Sequence, residues 1–268
     1  MNLPVANPDL DQWFTPVWSA ELIVHNFFPN LGHNDLVLEP SCGAGSFLRA
    51  LPEDVPAVGV EIDPRMADVA RELSGRDVVV GDFRTVPLDI KPTVAIGNPP
   101  FSTDVFDGML ARLFDMLPAD GRAGFLVPAY FFQTPGRVLT YNSNWGIEQT
   151  AIPRTLFPGI TKPLVFAVFG KTTARELRGF ALYQEAADIK ALAQNYQDIL
   201  NGKCRGSIWE AAVRQTVLDL GGRARLQDIY AVMERRRPTG TPFWREKIRQ
   251  VCARIFERCG DGVYAQSA

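Results

Sequence analysis

The segment DLVLEPSCGAGSFL, residues 35–48, contains the change of pattern that decides the fold. It begins with an apolar run of the length of a buried strand and ends with apolar residues at helical spacing. Gly43 and Gly45 lie between the two parts. Glycine adopts backbone conformations that other residues avoid, and it lets a ligand approach the main chain closely. The segment therefore predicts a strand–turn–helix unit whose turn binds a ligand.

Short apolar runs of this kind alternate with helical patterns along most of the chain. The runs that we predict as strands are residues 35–39, 57–61, 78–81, 93–97, 123–127 and 164–170. Strands that alternate with helices form a parallel sheet that is covered on both faces. The sequence therefore predicts an α/β fold with a doubly wound, mostly parallel sheet. The Gly- and Pro-rich stretch 159–163 predicts a hairpin or loop, and with it an antiparallel pair at one edge.

The composition is that of a globular protein, with 46% hydrophobic and 22% charged residues. The sequence lacks an apolar run of the roughly 18 residues that a membrane span needs. Its start also lacks the basic residues and apolar core of a secretion signal. We therefore expect no membrane partner and a cytoplasmic location. The cysteines are scattered and distant from both histidines, so the spacing of a zinc site is missing and we predict no metal.

Charge is divided unevenly along the chain. Residues 1–200 have 15 basic and 23 acidic side chains, a net charge of −8, whereas residues 201–268 have 13 basic and 7 acidic side chains, a net charge of +6. A basic end on an acidic body favours a polyanionic partner at that end.

A carboxylate follows or closes each of three successive predicted strands: Glu39, Glu61 and Asp82. Ligands bind at the carboxyl edge of such sheets, so we expect these side chains to share one site. Glu39 would attract a cation such as an amino-acid ammonium group. Glu61 can accept hydrogen bonds from the ribose hydroxyls of a nucleoside, and Asp82 can accept one from an adenine amino group. Ile62 and Phe83 are placed to sandwich the ring.

The glycine-rich turn leaves a dinucleotide site as an alternative, because the pattern G-x-G-x-x-G binds a pyrophosphate. Here the third glycine position is Leu48, the turn has no basic side chain, and Glu39 would repel a phosphate. A nucleoside with an ammonium group and no phosphate describes S-adenosylmethionine. We therefore predict that cofactor.

The segment AIGNPPF, residues 95–101, ends the fourth predicted strand with an amide, two prolines and an aromatic ring. An exocyclic aromatic amine is a poor nucleophile, because its lone pair is shared with the ring. The Asn98 side-chain oxygen and the Pro99 carbonyl could each accept one amino hydrogen and localise that lone pair. Pro100 restricts Pro99 to extended conformations, and Phe101 offers a face for a base to stack on. The segment predicts methyl transfer to an amino group of a planar ring system.

These motifs together resemble the amino-group DNA methyltransferases that make N6-methyladenine. The matching segments are WFTP (13–16), LEPSCGAGSFL (38–48), VGVEIDP (58–64), VVVGDF (78–83), AIGNPPF (95–101) and GRAGFLVP (121–128). Their order, with a cofactor motif first and a recognition region last, resembles the gamma-type arrangement of that family. The resemblance implies the seven-stranded methyltransferase sheet, S-adenosylmethionine as cofactor, and methylation of a flipped-out adenine in double-stranded DNA.

The residues and the resemblance together give two predicted sets. The predicted catalytic residues are Asn98, Pro99, Pro100 and Phe101. The predicted cofactor-binding residues are Trp13, Thr15, Pro16, Glu39, Pro40, Ser41, Cys42, Gly43, Glu61, Ile62, Asp82, Phe83 and Asn98. Within the second set, the resemblance implies that Thr15 and Pro16 touch the methionine part of the cofactor.

The pattern changes after residue 202, where three helical segments and an Asp-Gly hairpin signal give the layout of a winged helix-turn-helix. We divide the chain into an S-adenosylmethionine-binding catalytic domain at 1–183, a connecting helix or linker at 184–202, and a winged-helix-like DNA-recognition module at 203–268. The candidate DNA-binding residues are Arg235, Arg236, Arg237, Arg245 and Arg249. A polar loop predicted at 134–146 could also border the DNA.

Other activities remain open at this point. Methyltransferases of RNA bases and of protein glutamine share the Asn-Pro-Pro-aromatic pattern, and a DNA-binding regulator with a relic methyltransferase fold is a further alternative. The sequence leaves open whether the chain is a monomer or a homodimer. It also leaves open whether the chain is an orphan methyltransferase or belongs to a restriction–modification pair. In either case we expect it at the nucleoid when it is bound to DNA.

Overall fold

The computed structural model of the chain describes residues 13, 15–153, 162–180, 191–200, 207–236 and 242–266. These residues form two compact units, one within Met1–Ala181 and one within Leu182–Ala268. Three predicted features lie partly or wholly outside the described residues: the turn at 159–163, the start of the helix at 184–202, and Arg237.

An eight-stranded sheet forms the centre of the first unit in the described part of the chain. Its strands are β1 (Val37–Glu39), β2 (Ala57–Glu61), β3 (Asp77–Val80), β4 (Val94–Gly97), β5 (Arg122–Pro128), β6 (Gly146–Ile152), β7 (Leu164–Gly170) and β8 (Leu177–Arg178). The sheet order is β3-β2-β1-β4-β5-β7-β6-β8. The first five strands of that order are parallel, and β7 is antiparallel to both of its neighbours. The predicted α/β fold with a mostly parallel sheet is confirmed.

Helices connect these strands and cover the sheet. They are α1 (Val17–Phe27), α2 (Ser46–Ala50), α3 (Pro64–Ser74), α4 (Thr103–Met116) and α5 (Pro135–Asn142). Neighbouring residues of β5 show that both faces are covered, because side chains alternate along a strand. Leu126 packs in one core cluster with Ile23 of α1, whereas Phe125 contacts Phe106 of α4, with ring centroids 5.5 Å apart.

Strands β6 and β8 and helix α5 of this unit differ from the sequence prediction. The prediction of a polar loop at 134–146 is wrong, because helix α5 occupies Pro135–Asn142 and buries Val138 and Tyr141. A proline at the first helical position begins this helix, a signal that the sequence contained. Strand β6 was not predicted, because its side chains are mostly exposed or half-buried and it lacks the apolar run of a central strand.

The turn between β1 and α2 brings the first site residues to the carboxyl edge of the sheet. Gly43 and Gly45 both have positive φ angles, of 51° and 77°, in the left-handed region that favours glycine. A Cβ atom at Gly45 would also lie 3.2 Å from Cβ of Ala70 on α3. The sequence requirement for glycine here is therefore both conformational and steric.

The second unit contains four described helices and a three-stranded antiparallel sheet of order β10-β11-β9. Its elements are α6 (Gln194–Leu200), α7 (Ile208–Asp219), β9 (Arg223–Arg225), α8 (Leu226–Met233), α9 (Trp244–Ile255), β10 (Glu257–Arg258) and β11 (Val263–Ala265). Strand β9 was not predicted, since only its middle residue, Ala224, is buried.

The second unit has an apolar core of its own. Trp209, Ile229 and Ile248 are buried in it, on α7, α8 and α9 respectively. Helix α6 belongs to the same core, because Tyr196 is 1% exposed and its hydroxyl lies 2.6 Å from that of Thr216. We predicted a connecting helix or linker at 184–202; the part of it that forms α6 packs into the core of the second unit.

Candidate active site

A cavity of about 300 Å³ opens where β1, β2, β3 and β4 end. The residues that line it are Trp13, Thr15, Glu39, Pro40, Ser41, Cys42, Gly43, Ala44, Ser46, Glu61, Ile62, Gly81, Asp82, Phe83, Arg84, Asn98, Pro100, Ser102, Val105 and Met109. Every predicted cofactor-binding residue except Pro16 is among them. Of the predicted catalytic residues, Asn98 and Pro100 line the cavity, whereas Pro99 and Phe101 do not.

Glu39 is the most deeply buried carboxylate of the cavity, at 2% exposure. Its Oε2 accepts a hydrogen bond of 3.1 Å from the backbone N–H of Leu48. Burial raises the pKa of Glu39 well above its usual range, and the nearby charge of Glu61 adds to that effect. A cationic group bound beside Glu39 would favour the ionised carboxylate.

Glu61 fixes the shape of the glycine-rich turn. Its Oε2 accepts a hydrogen bond of 2.7 Å from the backbone N–H of Gly43, and its Oε1 accepts one of 2.9 Å from that of Asp63. Burial raises the pKa of Glu61, and these hydrogen bonds oppose the rise. The side chain therefore holds the turn from the neighbouring strand and at the same time lines the cavity.

The third carboxylate, Asp82, has a charged partner. Arg84 donates to both of its carboxylate oxygens, with Nη2 2.6 Å from Oδ2, and these hydrogen bonds lower the pKa of Asp82. The next residue, Phe83, is 2% exposed, and the Arg112 guanidinium lies 4.9 Å from its ring centroid. Ile62 is 50% exposed and presents uncovered apolar surface to the cavity.

The Asn98 amide has its two ends in different environments. Its Nδ2 donates to the carbonyl oxygen of Trp13 at 2.9 Å and to Oγ1 of Thr15 at 3.2 Å. Its Oδ1 is shielded from solvent, and no group in the described part of the chain donates to it. Ser41 Oγ is also buried and has no hydrogen-bond partner in the described part of the chain. A buried polar atom without a partner is costly, so these two atoms indicate that a ligand supplies their partners.

Phe101 lies beside the cavity lining and not in it. The residue is 5% exposed, and its ring stacks with Trp13 at a centroid distance of 6.3 Å and an interplanar angle of 15°. The Tyr130 hydroxyl donates a hydrogen bond of 2.6 Å to the Phe101 carbonyl oxygen. Lys162 Nζ lies 5.9 Å from the Phe101 ring centroid. These contacts hold the ring in a fixed orientation next to Asn98.

Several cavity residues were missed by the sequence reasoning. They are Ala44, Ser46, Gly81, Arg84, Ser102, Val105 and Met109. Val105 and Met109 lie one helical turn apart on α4, the helix that follows the Asn-Pro-Pro-Phe segment, so helical spacing could have indicated them. Arg84 follows a predicted residue by two positions and had no pattern of its own.

A thiol nucleophile is not part of this arrangement. Cys42 lines the cavity, but burial raises the pKa of its thiol, and the charges of Glu39 and Glu61 add to that effect. The reactive form of cysteine is the thiolate, which this environment disfavours. The environment of Cys42 therefore disfavours a thiolate nucleophile at the cavity.

The candidate DNA-binding arginines of the second unit differ in their contacts. Arg236 forms an ion pair of 2.9 Å with Asp219, and its guanidinium lies 4.7 Å from the ring centroid of Tyr196. Arg245 lies over Trp244 at 4.9 Å, and Arg249 pairs with Glu246 on the same helix. Arg235 is exposed.

Two further features are absent from the residues described. None of their helices is long and apolar enough to cross a membrane. Nor do they include a cluster of three or more His, Cys, Asp or Glu side chains that could hold a metal ion.

No protein-family model matches the chain. Over 70 residues, 25% of its length, it is 44% identical to the type II methyltransferase M.CvrRI of Paramecium bursaria Chlorella virus XZ-6E. That match spans only 18% of the viral protein.

Solved structures resemble the chain at low sequence identity, and two of them illustrate the likeness. One is a Listeria monocytogenes protein assigned to the class I S-adenosylmethionine-dependent methyltransferases, with a TM-score of 0.52, 17% identity, and coverage of 67% of this chain and 66% of that one. The other is the 23S rRNA methyltransferase ErmE, with a TM-score of 0.50, 18% identity, and coverage of 90% of this chain and 99% of that one. The chain has the class I methyltransferase fold.

Proposed function

We propose that this chain is an S-adenosylmethionine-dependent DNA methyltransferase that methylates the N6 amino group of an adenine flipped out of duplex DNA. The observation that carries the proposal is the Asn98 amide. Its nitrogen is fully engaged, its buried oxygen has no donor among the described residues, and it begins an Asn-Pro-Pro-Phe segment at the cavity. An acceptor in that position suits an amino group, which can donate to it.

The cavity residues fit S-adenosylmethionine. Glu39 and the unpartnered Ser41 Oγ would bind the polar methionine end, Glu61 the ribose hydroxyls, and Asp82 the adenine amino group. The exposed face of Ile62 would cover the adenine ring. When bound, the cofactor supplies an electrophilic methyl group on sulfur, and the amine that accepts it gives up one proton.

Asn98 Oδ1 and the Pro99 carbonyl would each accept one hydrogen of the target amine. This pair of acceptors favours a pyramidal nitrogen whose lone pair is localised for attack. Phe101, held by Trp13 and Tyr130, would stack against the flipped base. No strong base is needed, because these acceptors activate the amine without removing a proton beforehand.

The second unit supports DNA as the substrate. From α7 onward, its order of helix, strand, two helices and two strands is the order expected of a winged helix, in which α9 would enter the major groove. Arg245 and Arg249 lie on that helix, and the segment 201–268 has a net charge of +6. The type II methyltransferase likeness also favours DNA.

The decisive experiment uses three parallel reactions, each with the purified chain and labelled S-adenosylmethionine. The substrate is duplex DNA in the first, structured RNA in the second and a glutamine-containing peptide in the third. Digested products are then analysed by mass spectrometry. We expect label in N6-methyladenine from DNA, formed at least about a hundredfold more slowly by an Asn98→Ala variant. Label in RNA or glutamine alone would replace the proposed substrate. No transfer to any of them, with intact cofactor binding, would favour a non-catalytic DNA-binding role.

A further inference from the structure

We infer that Thr15 is a positioning residue for Asn98, and that its hydroxyl holds the amide with Oδ1 available to the target amine. The inference rests on the proposed function and adds a residue whose contribution to the transfer step lies outside the Asn-Pro-Pro-Phe segment. Thr15 was predicted only as a contact for the methionine part of the cofactor. It lines the cavity and is 6% exposed.

The hydrogen-bond capacity of the amide is the basis of the inference. A carboxamide has two N–H donors and one acceptor oxygen. Both donors of Asn98 are used, one by the Trp13 carbonyl at 2.9 Å and one by the Thr15 hydroxyl at 3.2 Å. A backbone carbonyl can only accept, so the Trp13 contact determines which end of the amide is nitrogen. The Thr15 contact then prevents rotation about the side-chain bond, because rotation would leave a buried N–H unpaired.

This arrangement also defines what the amide can do. With both N–H groups engaged, the free end of Asn98 is an acceptor only. A target amine can donate to it, whereas a ring carbonyl or a ring nitrogen with a lone pair cannot. Loosening the amide would expose a donor at the same position and reduce the fraction of molecules ready for transfer.

The test compares Thr15→Val, which has nearly the shape of threonine but no hydroxyl, with Thr15→Ser, which keeps the hydroxyl. We expect Thr15→Val to lower the single-turnover rate of methyl transfer about tenfold, on the scale of one partly buried hydrogen bond. Thr15→Ser should restore the rate to within about threefold. The matched control is Ser19→Ala, which removes another buried hydroxyl on the same segment; that hydroxyl donates to the Pro16 carbonyl at 2.7 Å. It should leave the rate nearly unchanged.

A double-mutant cycle separates positioning from a general structural effect. If Thr15 acts through Asn98, Thr15→Val should change the residual rate of Asn98→Ala by less than about twofold. An undiminished tenfold effect in the Asn98→Ala background would overturn the inference, because the hydroxyl would then act on something else.

A second readout does not need enzyme activity. The Asn98 side-chain N–H₂ signal can be identified in an NMR spectrum by its absence in Asn98→Ala. We expect both protons to exchange slowly with water in the parent chain, and one of them to exchange faster in Thr15→Val but not in Ser19→Ala. Unchanged exchange in Thr15→Val would refute the inference even if the chain methylates DNA. The expected change would support it even if the substrate is RNA or protein.

Discussion

Single side chains at the cavity have environments that differ enough to be tested one by one. Glu39 is buried and its pKa is raised, whereas Asp82 is partly exposed, paired with Arg84, and its pKa is lowered. Their contributions to folding stability should therefore change with pH in opposite directions. That of Glu39 falls as pH rises, and that of Asp82 is lost as pH falls. If the two carboxylates hold opposite ends of one ligand, each can be probed without the other.

The first prediction concerns proton release at Glu39. In the free protein the raised pKa keeps this carboxyl protonated over a wider pH range, so folding stability falls as pH rises from the unfolded value, about 4.3, through the raised value. A bound ammonium group favours the ionised form. S-adenosylmethionine binding should therefore release a proton and strengthen as pH rises toward the raised pKa. Calorimetry in buffers of different ionisation enthalpy measures this release.

Two variants control that measurement. Glu39→Gln should abolish both the proton release and the pH dependence of affinity. Glu53→Gln, a change at an exposed carboxylate outside the cavity lining, should alter neither. An affinity that does not vary with pH in the parent chain would place the ammonium group away from Glu39.

The second prediction separates Asp82 from its partner. Asp82→Ala should weaken S-adenosylmethionine binding about 10- to 150-fold, because it removes a charged acceptor. Arg84→Ala should leave the affinity unchanged or increase it, since Arg84 occupies the same carboxylate oxygens. Isothermal titration of both variants decides the matter. Equal losses in the two would mean that the ion pair supports the cavity wall and that Asp82 does not contact the cofactor.

Among the elements, the β1–α2 turn provides the third prediction. Gly45→Ala places a residue with a Cβ atom in the left-handed backbone conformation and brings that Cβ close to Ala70 on α3. It should therefore destabilise the first unit by about 1–2 kcal/mol or more. Gly136→Ala is the matched change on helix α5, where a Cβ has no atom within 4 Å. It should stabilise by about 0.4–1 kcal/mol. Urea denaturation compares the two, and equal stability would contradict the strained turn.

The fourth prediction contrasts two neighbouring arginines at the end of α8. Arg236 is engaged with Asp219 and Tyr196 inside the second unit, so Arg236→Ala should lower stability by about 1–2 kcal/mol. Arg235 is exposed, so Arg235→Ala should change stability by less than about 0.5 kcal/mol. If Arg235 holds a DNA phosphate, the variant should also lower the slope of log affinity against log salt concentration by about one. Thermal melts and salt titrations measure both. If instead Arg235→Ala lowered stability and Arg236→Ala lowered the salt slope, Arg235 would be the structural residue and Arg236 the DNA contact.

The elements also show which parts of the structure the sequence could predict. Strands β1, β4 and β5 are buried almost throughout, so they appear as continuous apolar runs. Strand β6 is largely exposed and β9 has one buried residue, so neither left such a run. The strand-end carboxylates could be predicted because parallel strands end at one edge. The Thr15–Asn98 hydrogen bond could not, because 83 positions of sequence separate the two residues and only tertiary packing joins them.

Over the chain as a whole, the two units have separate cores, and this gives the fifth prediction. The described residues that line the cavity all lie between positions 13 and 109, within the first unit. S-adenosylhomocysteine at about 100 times its Kd should stabilise that unit by about 2.7 kcal/mol and leave the second unit unaffected. Calorimetry should show two transitions, of which one shifts with ligand. A single transition that shifts completely would mean that the units unfold together.

The separation of the two units along the sequence has a consequence for how such enzymes diversify. Residues 1–181 include every described residue that lines the cavity, and residues 182–268 include a second core of described residues to which α6 belongs. One recombination event between positions 181 and 182 would exchange the entire second unit and leave every cavity residue in place. A crossover at position 202, after α6, would instead remove Tyr196 from the core in which it is buried. Chimeras made at the first boundary should fold, and they should inherit the target sequence of the donor if the second unit recognises DNA as proposed. Those made at the second boundary should misfold.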